Sequence, residues 1–189
     1  VLRELLQNAK VDLRGWPMPP TDGGIDNRTN RIHSTVSYAR GEQWDFFDRL
    51  VFGDVRTHFD DEGFYGGAKH PVGTVMSVVN ITHAIGEFLL FCKRLLVAAD
   101  YDGPVDVEMV AFGCKGRQLI AENRFFNGTY VSLEDEITVG GPTNTTELQS
   151  SWKELAATSA QRVCVLFNWN NPTREQMLKD LTEMEARRA

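Results

Sequence analysis

A chain of 189 residues that is 42% hydrophobic and 24% charged, with 11 Phe and 4 Trp, suits one soluble globular domain able to bury a core without covalent staples. Its net charge of −6 counts against a surface that grips a phosphate backbone as a whole. The longest apolar run, around Phe88–Ala99, is broken by Lys93 and Arg94, which excludes it as a membrane span.

In chain order, Val1–Asn8 reads as an amphipathic helix, and Leu2, Leu5 and Leu6 look like the tail of a helix cut from a longer protein. Val11-Asp12-Leu13-Arg14-Gly15 alternates as a short strand until Trp16-Pro17-Met18-Pro19-Pro20 forbids regular pairing. Thr21–Asn30 is a polar loop. Arg31–Ala39 alternates as a strand. Gln43–Phe52 is a second strand, with Val55–Phe59 its hairpin partner, closing on Asp60-Asp61-Glu62-Gly63. Val78–Ala98 carries apolar residues at helical spacing and is the strongest helix. Val105–Ala111 is a strand that Gly113–Gly116 turns back into a second, Arg117–Glu122. Phe125–Val131 and Ile137–Val139 are short strands. Thr146-Glu147-Leu148-Gln149 and Thr173-Arg174-Glu175-Gln176 have capping-box form and open two C-terminal helices, separated by Asn168–Pro172. The expectation is a single α+β domain over 1–189. A mainly antiparallel sheet packs against one central helix and two C-terminal helices, with residues 145–189 as the C-terminal helical part.

Chemistry is sparse in this sequence. His58-Phe59-Asp60-Asp61-Glu62, with His70 twelve residues on, supplies ligand types for a divalent ion in a metal-dependent hydrolase. The plainer reading of His58, Asp60, Asp61 and His70 is a solvated hairpin tip. Gly63-Phe64-Tyr65-Gly66-Gly67 lacks the strand-before, helix-after context of a phosphate cradle. Cys92, Cys114 and Cys164 are odd in number and far apart. They read as free thiols of a reducing, cytoplasmic compartment, and Cys114, beside Lys115, as an ordinary turn residue. Without a signal peptide, the sequons at Asn27, Asn80, Asn127 and Asn144 are composition alone. Residues 28–40 hold Arg28, Arg31, Arg40 and His33 with no acid, whereas 129–154 hold five acids against Lys153. Arg14 beside Trp16, extended by Arg28, Arg31 and Arg40, would suit nucleic acid through stacking and phosphate contact. The plainer alternative packs Trp16 in the core and pairs Arg14 with a carboxylate.

Three segments share an order and spacing: Val11-Asp12-Leu13-Arg14-Gly15-Trp16-Pro17, then Gly41-Glu42-Gln43-Trp44-Asp45-Phe46-Phe47, then Ile85-Gly86-Glu87-Phe88 through Val105-Asp106-Val107-Glu108 to Gly116-Arg117-Gln118-Leu119. Together they resemble the C-terminal region of bacterial Schlafen-related proteins that carry an AlbA-type DNA-binding domain. Pro17 directly after Trp16, and Pro19-Pro20 in place of His-Ile, depart from that pattern. The resemblance implies a regulatory or partner-contacting module of a cytoplasmic nucleic-acid-associated protein, in phage defence or transcriptional control. The main nucleic-acid grip would then lie in a preceding domain. It implies no catalytic residue and no cofactor. The resulting expectation is a non-enzymatic accessory domain that assembles or senses. It would meet a protein partner or a second copy of itself, and no membrane, through surfaces including Arg14, Trp16, Arg28, Arg31, Arg40 and Trp44.

Overall fold

The computed structural model describes residues 1–13, 17–21, 24–36, 42–61, 70–121, 128–170 and 172–186. Within them the class is α+β, as the order of patterns predicts. Strand alternation builds the N-terminal part: β1 (Asp26–Arg28), β2 (Arg31–Val36), β3 (Glu42–Phe47) and β4 (Phe52–Val55) form an antiparallel meander in that spatial order. Ile32, Ser34, Trp44 and Phe46 are buried while Thr35 and Gln43 are exposed, the period of two of a sheet covered on one face.

The covered face is aromatic. The Phe52 ring lies 6.2 Å from Trp44, 6.4 Å from Phe46 and 4.6 Å from Phe91, which belongs to the helix beneath. The Trp44 Nε1–H donates to the Pro20 carbonyl at 2.6 Å, so the polar atom of a wholly buried indole is satisfied. Trp44, expected at a contact surface, is therefore a core residue. Its strand phase, shared with Phe46, turns it inward.

Two expectations fail here for local reasons. Gln43–Phe52 is a hairpin and not one strand: the chain reverses between β3 and β4 with Leu50 at φ 58 and the Phe47 N–H bonded to the Val51 carbonyl at 2.9 Å. No Gly or Pro punctuates that turn, and its residues continue the alternation. Thr21–Asn30 contains β1, whose three residues are all exposed and so carry no apolar signal. Of the strand expected over Val11–Gly15, the described part, 11–13, contains a bridge from Val11 to Met18.

Helix α1 (Leu2–Ala9) buries Leu6 and Ala9. It is tied to α2 (Val78–Ala98) by Arg94, which donates to the Lys10 carbonyl. Ser77 caps α2, its hydroxyl accepting the Asn80 N–H, which satisfies one of the orphan amides of a helix start. Helices α3 (Thr145–Leu166) and α4 (Arg174–Ala186) pack against α2. The cap of α3 is Asn144, whose Oδ1 accepts the Glu147 N–H at 2.9 Å, two residues before the predicted Thr146. Glu147, at the third helical position, turns its carboxylate back to accept the Thr143 hydroxyl at 2.7 Å.

Four further strands link these helices. β5 (Val75–Ser77) pairs in parallel with β7 (Gln118–Ile120), and β6 (Pro104–Ala111) pairs antiparallel with β8 (Ile137–Asn144). The hairpin predicted between Val105–Ala111 and Arg117–Glu122 does not form. After the turn at Gly113–Gly116 the chain leaves β6, and the Gln118 N–H bonds the Thr74 carbonyl. The predicted strand at Ile137–Val139 is the first part of β8.

Gly86 sets the approach of α2 to the C-terminal helices. A Cβ there would lie 2.2 Å from Leu181 Cδ2, 3.5 Å from Met184 Cε and 3.6 Å from Trp152 Cζ3. Overpacking of a filled core costs about 1–3 kcal/mol, more than the helix propensity of about 1 kcal/mol that alanine returns. Gly86→Ala is expected to destabilise by about 1 kcal/mol. In a Leu181→Ala background the same change becomes neutral or stabilising, a sign reversal that urea titration of the four variants reads directly.

Candidate functional site

The acids weighed as metal ligands against a solvated hairpin tip are instead tied into the fold. The 3₁₀ turn Phe59–Asp61 places Asp60 at the start of α2, where Oδ2 accepts the Ser77 N–H at 2.9 Å and Oδ1 the Asn80 side-chain amide at 2.7 Å. Asp61 accepts a bidentate pair from Arg117, Nη1 to Oδ1 at 2.8 Å and Nη2 to Oδ2 at 2.7 Å, and also the Gly73 N–H. Arg117 is 5% exposed and donates in addition to the carbonyls of Gly113 and Val75. It therefore bolts the turn before α2, strand β5 and the turn after β6 to one another.

Electrostatics follow this geometry. Burial alone would raise the Asp61 carboxyl, but the Arg117 hydrogen bonds, the Gly73 amide and the guanidinium charge outweigh it and hold the group below the usual carboxylate range. The bond to Asp61 in turn raises Arg117. Burial, then the Arg117 charge, lowers His58, whose Nε2 faces the Phe112 carbonyl at 3.3 Å. His70 is exposed. Among the described residues no group of three or more His, Cys, Asp or Glu is arranged to hold a metal ion. Burial raises the Cys114 thiol, whose Sγ donates to Ala111 O, so it lacks the thiolate character of a nucleophile.

The basic segment does form a surface. Register places Arg28 opposite Arg31 across the β1–β2 hairpin, and α1 brings Arg3 beside them. Arg3 is positioned by its Nη2 donating to the Ile25 carbonyl at 2.6 Å. Arg3, Asn27, Arg28, Asn30, Arg31 and Asp48 line a cleft of about 320 Å³. Arg31 Nε sits 3.1 Å from Asp45 Oδ1 and its guanidinium carbon 5.2 Å from the Phe47 ring centroid. His33 spans Asp45 and Thr35, Nδ1 at 3.1 Å and Nε2 at 3.0 Å. The outer face of β2–β3 is thus a connected polar layer of Arg31, His33, Thr35 and Asp45, with Arg28 opposite Arg31 at its end and Arg3 held at the hairpin edge by Ile25 and Asn27. Sequence reasoning found Arg28 and Arg31 but not Arg3, because only the fold carries α1 to the hairpin. Arg14, Trp16, Arg40 and the glycine run 63–67 lie outside the described residues.

A second constellation had no place in the sequence reading. Glu42 at the start of β3 and Asp54 on β4 share the core face with Trp44 and Phe46, and Glu87 projects from the middle of α2. Glu42 is 4% exposed and Glu87 0%. Arg56 stands among them, Nε 3.7 Å from Asp54 Oδ2 and Nη1 3.7 Å from Glu87 Oε2. Burial, then the neighbouring Asp54, pushes Glu42 up to about 7. A signal existed: Glu42 precedes Trp44 by two in a strand, and Glu87 precedes Phe91 by four in a helix. Both acids are therefore in phase with buried aromatics.

Compared with family models, curated proteins and solved structures, the chain matches none. Among the described residues no helix is long and apolar enough to cross a membrane.

Proposed function

We propose that this chain is a non-catalytic accessory module of a nucleic-acid-associated protein, as the Schlafen-related resemblance implies, and that it touches the anionic backbone through the cleft between α1 and the β1–β2 hairpin. One observation carries this reading: on a chain of net charge −6, Arg3, Arg28 and Arg31 line a single concave site. Guanidinia present several donors in a fixed fork that matches phosphate oxygens, and a cluster of them raises local affinity against an acidic background. Phe47 under Arg31 adds a flat apolar surface on which the guanidinium is held. Exposed Phe112 and Leu133 are side chains that a protein partner or a second copy would cover in the assembled state.

The test is fluorescence anisotropy with a labelled duplex and a labelled single strand across 50–200 mM salt. Binding is expected to weaken with a log–log slope of about −2 to −3, one counterion release per guanidinium. Arg28→Glu should reduce the slope magnitude by about 1 and weaken binding to every sequence alike. Absence of any binding at low salt would reject the reading.

A further inference from the structure

We propose that the buried cluster of Glu42, Asp54 and Glu87 around Arg56 is a proton-operated latch. One shared proton fastens the open end of the β3–β4 hairpin to the middle of α2, and its loss loosens that corner of the sheet. The latch lies at the end of the sheet away from the β1–β2 hairpin turn, so it stands or falls separately from the cleft.

The geometry compels a proton. Glu42 lies against two further carboxylates, Asp54 and Glu87, and Arg56 stands 3.7 Å from each of those two. Glu42 Oε1 is buried and makes no hydrogen bond to the described residues. A carboxylate in that position carries uncompensated charge in a low-dielectric site, which is relieved by protonation. A carboxylic acid can instead donate to a neighbouring carboxylate, and Asp54 shares a hydrogen bond with Glu42. Among the described residues the charges come from four places: Glu42 from β3, Asp54 from β4, Arg56 from the segment after it and Glu87 from α2. Val36, the β2 register partner of Glu42, is uncharged. His83 stands one turn before Glu87 on α2.

The sign of the pH dependence is fixed by Glu42 holding its proton more tightly when folded, at about 7 against an ordinary 4.5. Below 4.5 both states are protonated and the latch contributes fully. As pH rises from 4.5 to about 7 the unfolded chain releases the proton first, so stability falls, and above 7 the loss is complete. That interval corresponds to as much as about 300-fold in the unfolding constant. His58, lowered by burial, acts in the opposite direction, since its folded form prefers the neutral ring.

The difference between wild type and Glu42→Gln isolates the latch, because glutamine keeps the neutral shape without the titration. Urea unfolding from pH 5 to 8 should show the wild-type unfolding constant rising at least tenfold more than that of E42Q. Hydrogen exchange of β3 and β4 amides, compared at equal pH so that chemical exchange cancels, should accelerate in the wild type alone. Parallel profiles for the two proteins would overturn the proposal. Should E42Q fail to fold, the carboxyl carbon of Glu42 in ¹³C-labelled wild type decides: titration near neutrality supports the latch, and titration near 4.5 overturns it.

Discussion

Asp61→Ala is expected to lower the unfolding free energy by about 3 kcal/mol, the lower end of the range for breaking a buried ion pair. The loss arises less from the missing attraction than from what remains. Arg117, 5% exposed, keeps its charge and the carbonyls of Gly113 and Val75, but loses its bidentate partner and is left with Asp60 alone as a neighbouring carboxylate among the described residues. The test is a double-mutant cycle by urea denaturation at pH 7, in which Asp61→Ala/Arg117→Leu should regain part of the loss because the orphaned charge is gone. If the double variant is no more stable than Asp61→Ala, the guanidinium was never the source of the penalty. The same pair sets the acid limb of stability. Asp61 is held below its ordinary value, so its contribution is complete above the unfolded carboxylate range and is lost as pH falls through the folded value.

Gly140→Ala should destabilise comparably, by about 3 kcal/mol, seen as a fall of roughly 6–12 °C in Tm for a chain of this size. Gly140 sits in β8 at φ +106, and a Cβ there would lie 2.1 Å from the Val107 carbonyl oxygen and 3.3 Å from Glu108 Cα. Both obstacles are backbone of the paired strand β6, so nothing can swing aside and the ladder itself must part. Its neighbour Gly141, at φ +134, meets nothing within 4 Å. Gly141→Ala should therefore show the dihedral strain alone, roughly half the shift. Equal effects at the two positions would mean that the clash with β6 plays no part.

Local periodicity carried most of the fold. Val78–Ala98 becomes α2 with the same bounds, because a stripe from Val78 to Leu96 leaves no other way to bury those residues at once. β2 follows from the alternation of Ile32 and Ser34 against His33 and Thr35, although His33 is buried too, by its polar bonds across the outer face. What escaped was decided by distant partners. The parallel union of β5 with β7 joins residues over forty positions apart, and each three-residue strand is too short to show a period. The role of Asp60 and Asp61 was hidden for the same reason. A carboxylate that caps a helix and one that pairs with a guanidinium look identical until the fold brings Ser77, Asn80 and Arg117 to them. Glu42 and Glu87 were legible in phase but not in consequence, since an acid on an apolar face acquires meaning only when three of them converge.

Ser77 ends β5 and Val78 begins α2; Asn144 ends β8 and Thr145 begins α3. Neither junction has a spacer, so strand pairing and helical phase are geared together. One added residue at either point would swing the following helix by about 100° about its axis or slip the strand's side chains to the opposite face. Length variation in proteins of this fold must therefore accumulate elsewhere, and these two seams should stay fixed in spacing even where the identities of the residues beside them drift.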